Sequence, residues 1–152
     1  ALSDRILVMK LGVVQQIDTP LNVYNNPANK FVFSFIGLSN FLDVVWENGT
    51  AFVAGNHVSL PGSLTPPDNM RGQESLSLAS RPSEIDFASE NDEDALRGIV
   101  NRKSFLGEII DYQVKIGSQE LRIQKGRRAA GPEVGESCCV RFLRPFWYGG
   151  EE

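Results

Sequence analysis

From Asn40 onward the apolar residues of this chain alternate with polar ones in runs too short for helices, and most runs stop at a turn dipeptide. A period of two places alternate side chains on opposite faces of a pleated strand, so the texture confines this part to antiparallel β architecture. Phe41 to Glu47 sets Leu42, Val44 and Trp46 on one face, and Asn48-Gly49 is the pair that tolerates positive φ at both places of a two-residue hairpin turn. Thr50 to Ala54 returns, and Gly55-Asn56 offers another turn into His57 to Leu60, completing a three-stranded meander. Pro61, Gly62, Pro66 and Pro67 predict a loop that lasts until Leu76-Ser77-Leu78-Ala79 resumes the alternation. The acidic stretch Glu90 to Asp94 reads as a solvated loop. Ala95 to Leu106 predicts a long strand, bulged where the alternation slips around Asn101 to Ser104. After Gly107, the residues Ile110, Tyr112, Val114 and Ile116 share one face, Gly117-Ser118 turns the chain, and Leu121 and Ile123 continue on the return strand. Lys125 to Pro132 reads as a basic loop and Ser137 to Leu143 as the final strand.

The first 39 residues have a different texture. Ile6-Leu7-Val8-Met9, a turn at Lys10-Leu11-Gly12 and Val13 to Ile17 predict a strand hairpin. Thr19 before Pro20 and Asn26 before Pro27 each pair a capping side chain with proline at a first helical position, where its missing N–H costs nothing. The second of these helices is expected to run from Pro27 to Ile36 and stop at Gly37. With no further strands beside it, the hairpin would leave Ile6, Val8, Val13 and Ile17 without cover.

The order Leu2-Ser3-Asp4-Arg5-Ile6-Leu7-Val8-Met9, Gly12, Gln16 to Pro20, Val23-Tyr24, Asn26 to Val32, Ser34 to Gly37 and Asn40 resembles the end of the ATP-binding subunit of bacterial ABC importers. Thinner matches follow at Arg81-Pro82-Ser83-Glu84 and at Phe105-Leu106-Gly107 with Asp111-Tyr112. Asp18 and Ser83 depart from the pattern, standing where the family commonly has glycine and glutamate. The subgroup includes importers of sulfate, iron, polyamines and sugars. The resemblance implies a mainly β chain: residues 1–39 would be a hairpin and two short helices from the end of an ABC ATPase domain. Residues 40–152 would be a transport-associated OB domain, an OB-like small β-barrel with a regulatory role. It also implies a start just after the switch histidine, a second copy of the chain as partner in a homodimer, and membrane permease subunits reached through the ATPase domain. A small anion or a regulatory protein would be further partners. The implied location is cytoplasmic, peripheral on the inner face of the plasma membrane. Candidate interaction residues are Arg81, Phe105, Gly107 and the aromatic tail Phe146, Trp147 and Tyr148.

The residues themselves offer no catalytic or metal site. A phosphate-cradling G-x-x-x-x-G-K-[ST] loop is missing, and so are serine-hydrolase, zinc and dinucleotide patterns. The resemblance implies that ATP and magnesium belong to the full-length parent, with no cofactor in this portion. The lone His57 stands beside a turn, where solvation is the ordinary role, and the adjacent Cys138 and Cys139 point to opposite faces of a strand. No apolar run approaches the roughly 20 residues that span a bilayer. Two other readings remain. One is an OB-type oligonucleotide binder using Phe105, Tyr112, Phe142, Phe146, Trp147 and Tyr148 beside Lys103, Lys125, Arg127 and Arg128. A formal charge of -4 opposes it and favours no nucleic-acid partner. The other is a small-oxyanion sensor, although the serine, arginine and lysine of a dedicated oxyanion motif are not recognisable.

Overall fold

A computed structural model describes residues 4–55 and 58–150. Ala1 to Ser3, half of the predicted Gly55-Asn56 turn, and His57 lie outside the described residues. The chain divides into two compact units, one ending at Ser39 and one beginning at Asn40.

In the first unit, β1 (Ile6–Lys10) and β2 (Val13–Asp18) form the expected hairpin, joined at Leu11-Gly12 with φ of 50° and 81°. A register shift between Val8 and Met9 gives Val8 opposite Gln16 but Met9 opposite Val14. Val8 therefore packs with Val23 and Val32 in a small core, flanked by Ile6, Phe31 and Ile36. This corrects the expectation that Ile6, Val8, Val13 and Ile17 stand uncovered together: Val8 is buried, whereas Val13 and Ile17 are exposed. The outward residues Leu7 and Ile17 are directly paired across the strands.

Helix α1 (Pro20–Asn25) starts as predicted, with Thr19 Oγ1 accepting the Asn22 N–H at 3.2 Å and proline in its first turn. Helix α2 (Lys30–Phe35) starts later than the Asn26-Pro27 pair suggested. The Ala28 N–H donates to Gln16 Oε1 at 2.8 Å, and Asn29 is fully extended with its side chain accepting the Val32 N–H. Residues 26–29 are thus a bent, non-helical connector pinned to β2, and the cap passes to Asn29.

The second unit is mainly β. Strands β3 (Asn40–Glu47), β4 (Thr50–Val53), β5 (Val58–Ser59), β6 (Ser75–Ser80), β7 (Ile85–Ala88), β8 (Leu96–Leu106), β9 (Ile109–Ile116), β10 (Gln119–Gly126), β11 (Ser137–Phe142) and β12 (Phe146–Gly149) follow in order. They form two antiparallel five-stranded sheets, β12-β6-β3-β4-β5 and β10-β9-β8-β11-β7. Asn48 and Gly49 take φ of 51° and 78° between the paired Glu47 and Thr50, as the two-residue turn requires. The β8 bulge lies between Val100 and Arg102, inside the stretch where alternation slips. It turns Lys103 toward the face of Tyr112, its register partner.

One core joins both sheets: Leu42, Val44, Val53, Leu76 and Leu78 from one, Val100, Tyr112, Val114, Ile116, Leu121 and Ile123 from the other. Two strands differ from expectation. β7 and β12 are both only four residues long, too short to stand out by periodicity, and β12 forms out of what reads as a tail because it pairs with β6 from Phe146↔Ala79 to Gly149↔Leu76. The strand β10 likewise absorbs Lys125 and Gly126 from the predicted loop by pairing them with Ile110 and Ile109.

Candidate functional site

The two sheets of the second unit are linked where β3 meets the edge of β10, and the link is made by two side-chain amides. Asn40 Nδ2 donates to the Arg122 carbonyl at 2.6 Å while its Oδ1 accepts the Arg122 N–H at 2.8 Å. Gln119 mirrors this on β3: its Oε1 accepts the Asp43 N–H at 2.7 Å and its Nε2 donates to the carbonyls of Asp43 and Ala54 at 2.9 and 3.1 Å. Each amide satisfies a donor and an acceptor of one residue, as a neighbouring strand would. An edge that could recruit another chain is thereby closed from within. Sequence reasoning noticed Asn40 for its place in the family pattern but missed Gln119, since a polar residue beside a glycine turn carries no signal of what it will reach.

On the outward side of β10, the buried Asp111 accepts from Arg122 Nε at 2.7 Å and from Gln124 Nε2 at 3.2 Å. Lys125 of β10 pairs with Asp86 of β7, so one ion pair also joins the two end strands of the second sheet. Two antiparallel sheets over one core are consistent with an OB-like β domain.

The candidate interaction residues are scattered. Arg81 is 4% exposed and precedes the 3-10 turn Pro82–Glu84, its carbonyl accepting from the Glu84 N–H at 2.9 Å and from Ser80 Oγ. A residue buried to this degree presents little surface for the interaction expected of it. Phe105 and Gly107 lie at the tip of the β8–β9 hairpin, where Phe105 is 67% exposed and Gly107 takes φ of 77° in the turn. Lys103 sits behind them, its Nζ 5.7 Å from the Phe105 ring centroid, 5.4 Å from that of Tyr112 and 3.0 Å from Glu133. The Glu133 carboxylate, before any other neighbour, raises the Lys103 pKa. Phe146 and Trp147 are half-buried in β12 and Tyr148 is buried.

Tyr112 and Tyr148 face the interior and Phe142, Phe146 and Trp147 are half-buried, so Phe105 alone among the six aromatics is exposed. One ring does not make a stacking platform for successive bases. Among the described residues no cluster of His, Cys, Asp and Glu is arranged to hold a metal ion. Cys138 and Cys139 are buried free thiols, and burial pushes Cys138 up to about 11, with Cys139 adding to the effect. No helix among the described residues is long and apolar enough to cross a membrane.

Residues 78–145, from the middle of β6 to just before β12, match the family model described as the TOBE domain. The chain is 33% identical over 149 residues, 93% of its length, to the spermidine/putrescine import ATP-binding protein PotA of Pseudomonas fluorescens. The chain carries the TOBE domain of ABC importer ATP-binding subunits. Other relatives of this TOBE-bearing chain transport different solutes by name. The sn-glycerol-3-phosphate import ATP-binding protein UgpC of Salmonella choleraesuis is 35% identical over 86% of the chain. The Fe(3+) ions import ATP-binding protein FbpC of Escherichia coli is 29% identical over 90% of it. The chain spans 40%, 37% and 37% of the length of these three relatives. Phe105, Gly107 and Arg81 fall within the TOBE match, whereas Phe146, Trp147 and Tyr148 lie beyond it.

Proposed function

We propose that this chain is the regulatory and dimerisation region of the ATP-binding subunit of an ABC importer, in which the parent couples ATP hydrolysis to solute uptake. The observation that carries this reading is the TOBE match itself, which falls on all of β7 to β11, the whole second sheet. The parent would hold ATP and magnesium, and would work on the cytoplasmic face of the membrane with permease subunits. In this role the second unit holds two copies together while the ATP-binding domains open and close. A closed core spanning two sheets suits such a clamp, because interiors are close-packed and deform little.

A chimera tests the role. Residues 40–151 replace the corresponding region of the Escherichia coli Fe(3+) import ATP-binding protein, and iron uptake is compared with that of a subunit truncated before the same point. Uptake recovered above the truncated level supports the reading. Uptake no better than that of the truncation, with the chimera expressed and folded, sinks it.

A further inference from the structure

The amide bridges close the edge of β10, but β8 leaves another edge open. On the side away from β9 it is paired with β11 only from Leu96 to Ile99, after which Val100 bonds the backbone of Gly135 and Glu136 at 2.9 and 3.0 Å. From Arg102 to Leu106 its strand partner among the described residues is β9 alone. The two-residue turn Gly107-Glu108 makes Leu106 and Ile109 a pair that exchanges both backbone bonds, so Ser104 with Asp111 and Arg102 with Gln113 are bonded pairs as well. The N–H and C=O groups of Lys103 and Phe105 therefore point away from β9, and no backbone group among the described residues meets them.

A lysine at a sheet edge ordinarily repels a second strand. Lys103 is instead drawn inward, its Nζ 3.0 Å from Glu133 and 5.4 Å from the ring centroid of Tyr112 on β9. The open groups also have apolar neighbours: Phe105, Leu106 and Val134 are each more than half exposed. Val134 immediately precedes the Gly135 that bonds Val100, at the Arg102 end of the edge.

We infer that this edge pairs antiparallel with the same edge of a second copy of the chain. One register uses every open group: Lys103 opposite Phe105 of the second copy, and Phe105 opposite its Lys103, each pair exchanging both backbone bonds. The two-fold axis then passes between the Ser104 residues, Arg102 faces Leu106 of the second copy, and no like charges stand opposite one another. Each Lys103 meets an aromatic ring, a contact it already makes at 5.7 Å within its own strand. Slipping the strands by two residues one way sets Lys103 against Lys103. Slipping them the other way sets Lys103 against Gly107 in the turn, where its backbone groups find no strand. The favoured pairing is isologous, so it closes at two copies. The inference rests on the dimerisation reading above and names its contact.

The test is Ser104→Cys in the full chain, mildly oxidised while sedimentation velocity follows association. Facing Cα atoms on the axis lie about 4.5 Å apart, within disulfide reach, so an intermolecular disulfide is expected. The native Cys138 and Cys139 are buried and do not compete. Arg102→Cys, whose copies would lie about 14 Å apart, should cross-link at least ten-fold more slowly. Phe105→Pro removes an N–H that β9 does not use, and should weaken the dimer by about ten-fold or more with the native circular dichroism kept. A dimer in which Ser104→Cys cross-links no faster than Arg102→Cys overturns the inference while the dimerisation reading stands, as does a folded Phe105→Pro variant that dimerises undiminished. A chain that stays monomeric at every concentration overturns both. If the proline variant does not fold, the two cysteine variants decide alone.

Discussion

Asp18, one departure from the family pattern, has a local task. Its Oδ1 accepts the Thr19 N–H at 2.9 Å and its Oδ2 accepts from Asn22 Nδ2 at 2.7 Å, so it braces the entry to α1 alongside the Thr19 cap. The Thr19 N–H first, then the Asn22 amide, hold its carboxyl below the ordinary carboxylate range. A depressed folded pKa means the bracing is fully present above the ordinary Asp value, about 3.9, and is lost as pH falls through the folded value. Asp18→Asn is expected to flatten the dependence of thermal stability on pH below about pH 4, measured as melting temperature across an acid series. An unchanged acid profile would show that Asp18 bears no such load. Cys138 gives a second residue-scale expectation. With its thiol pushed up to about 11, it should react with a disulfide reagent at pH 8 far more slowly in the native chain than after unfolding in urea. Equal rates would show the thiol to be open to solvent. The sequence announced the cysteines' opposite faces but not that both would be buried, because Cys139 looks away from the core and is covered only once β11 lies between β7 and β8.

The amide bridges are the test at the scale of elements. Asn40→Ala removes both bonds to Arg122 and leaves a strand-edge N–H and carbonyl to find water, a loss of about 1 to 3 kcal/mol in urea unfolding with the slope unchanged. Gln119→Ala should cost a similar amount, about 1 to 3 kcal/mol, since it releases Asp43 and Ala54. Losses within error of zero for both would show that the sheets are held by the core alone. Two glycines on either side of β9 offer a contrast. Gly98→Ala drives a Cβ against β9 and should destabilise by about 1 to 3 kcal/mol, whereas Gly126 has nothing within 4 Å of a Cβ and Gly126→Ala should be neutral or better. How well elements can be read ahead follows their length. β8, β9 and β10 were legible because each holds several periods of alternation ending at a glycine turn. β7 and β12 hold two periods each and exist through their partners. The start of α2 was misplaced because Gln16, distant by a dozen positions, accepts the Ala28 N–H that an Asn26 cap on a helix from Pro27 would have accepted.

Taken whole, the molecule is a small hairpin-and-helix unit followed by a β unit that carries the TOBE match. The first keeps an apolar outer strip, Leu7, Met9, Val14 and Ile17, each about half exposed. Such a strip on an open-edged hairpin invites association of its own, so any test of the clamp must separate the two surfaces. Sedimentation velocity of the full chain over a dilution series does so when it is run beside the Leu7→Glu, Ile17→Glu double variant. The proposed clamp predicts a dimer in both, because it places the contact in the β unit. A monomer at every concentration would contradict the clamp, and a dimer that disappears with the double variant would assign the association to the hairpin and contradict it equally.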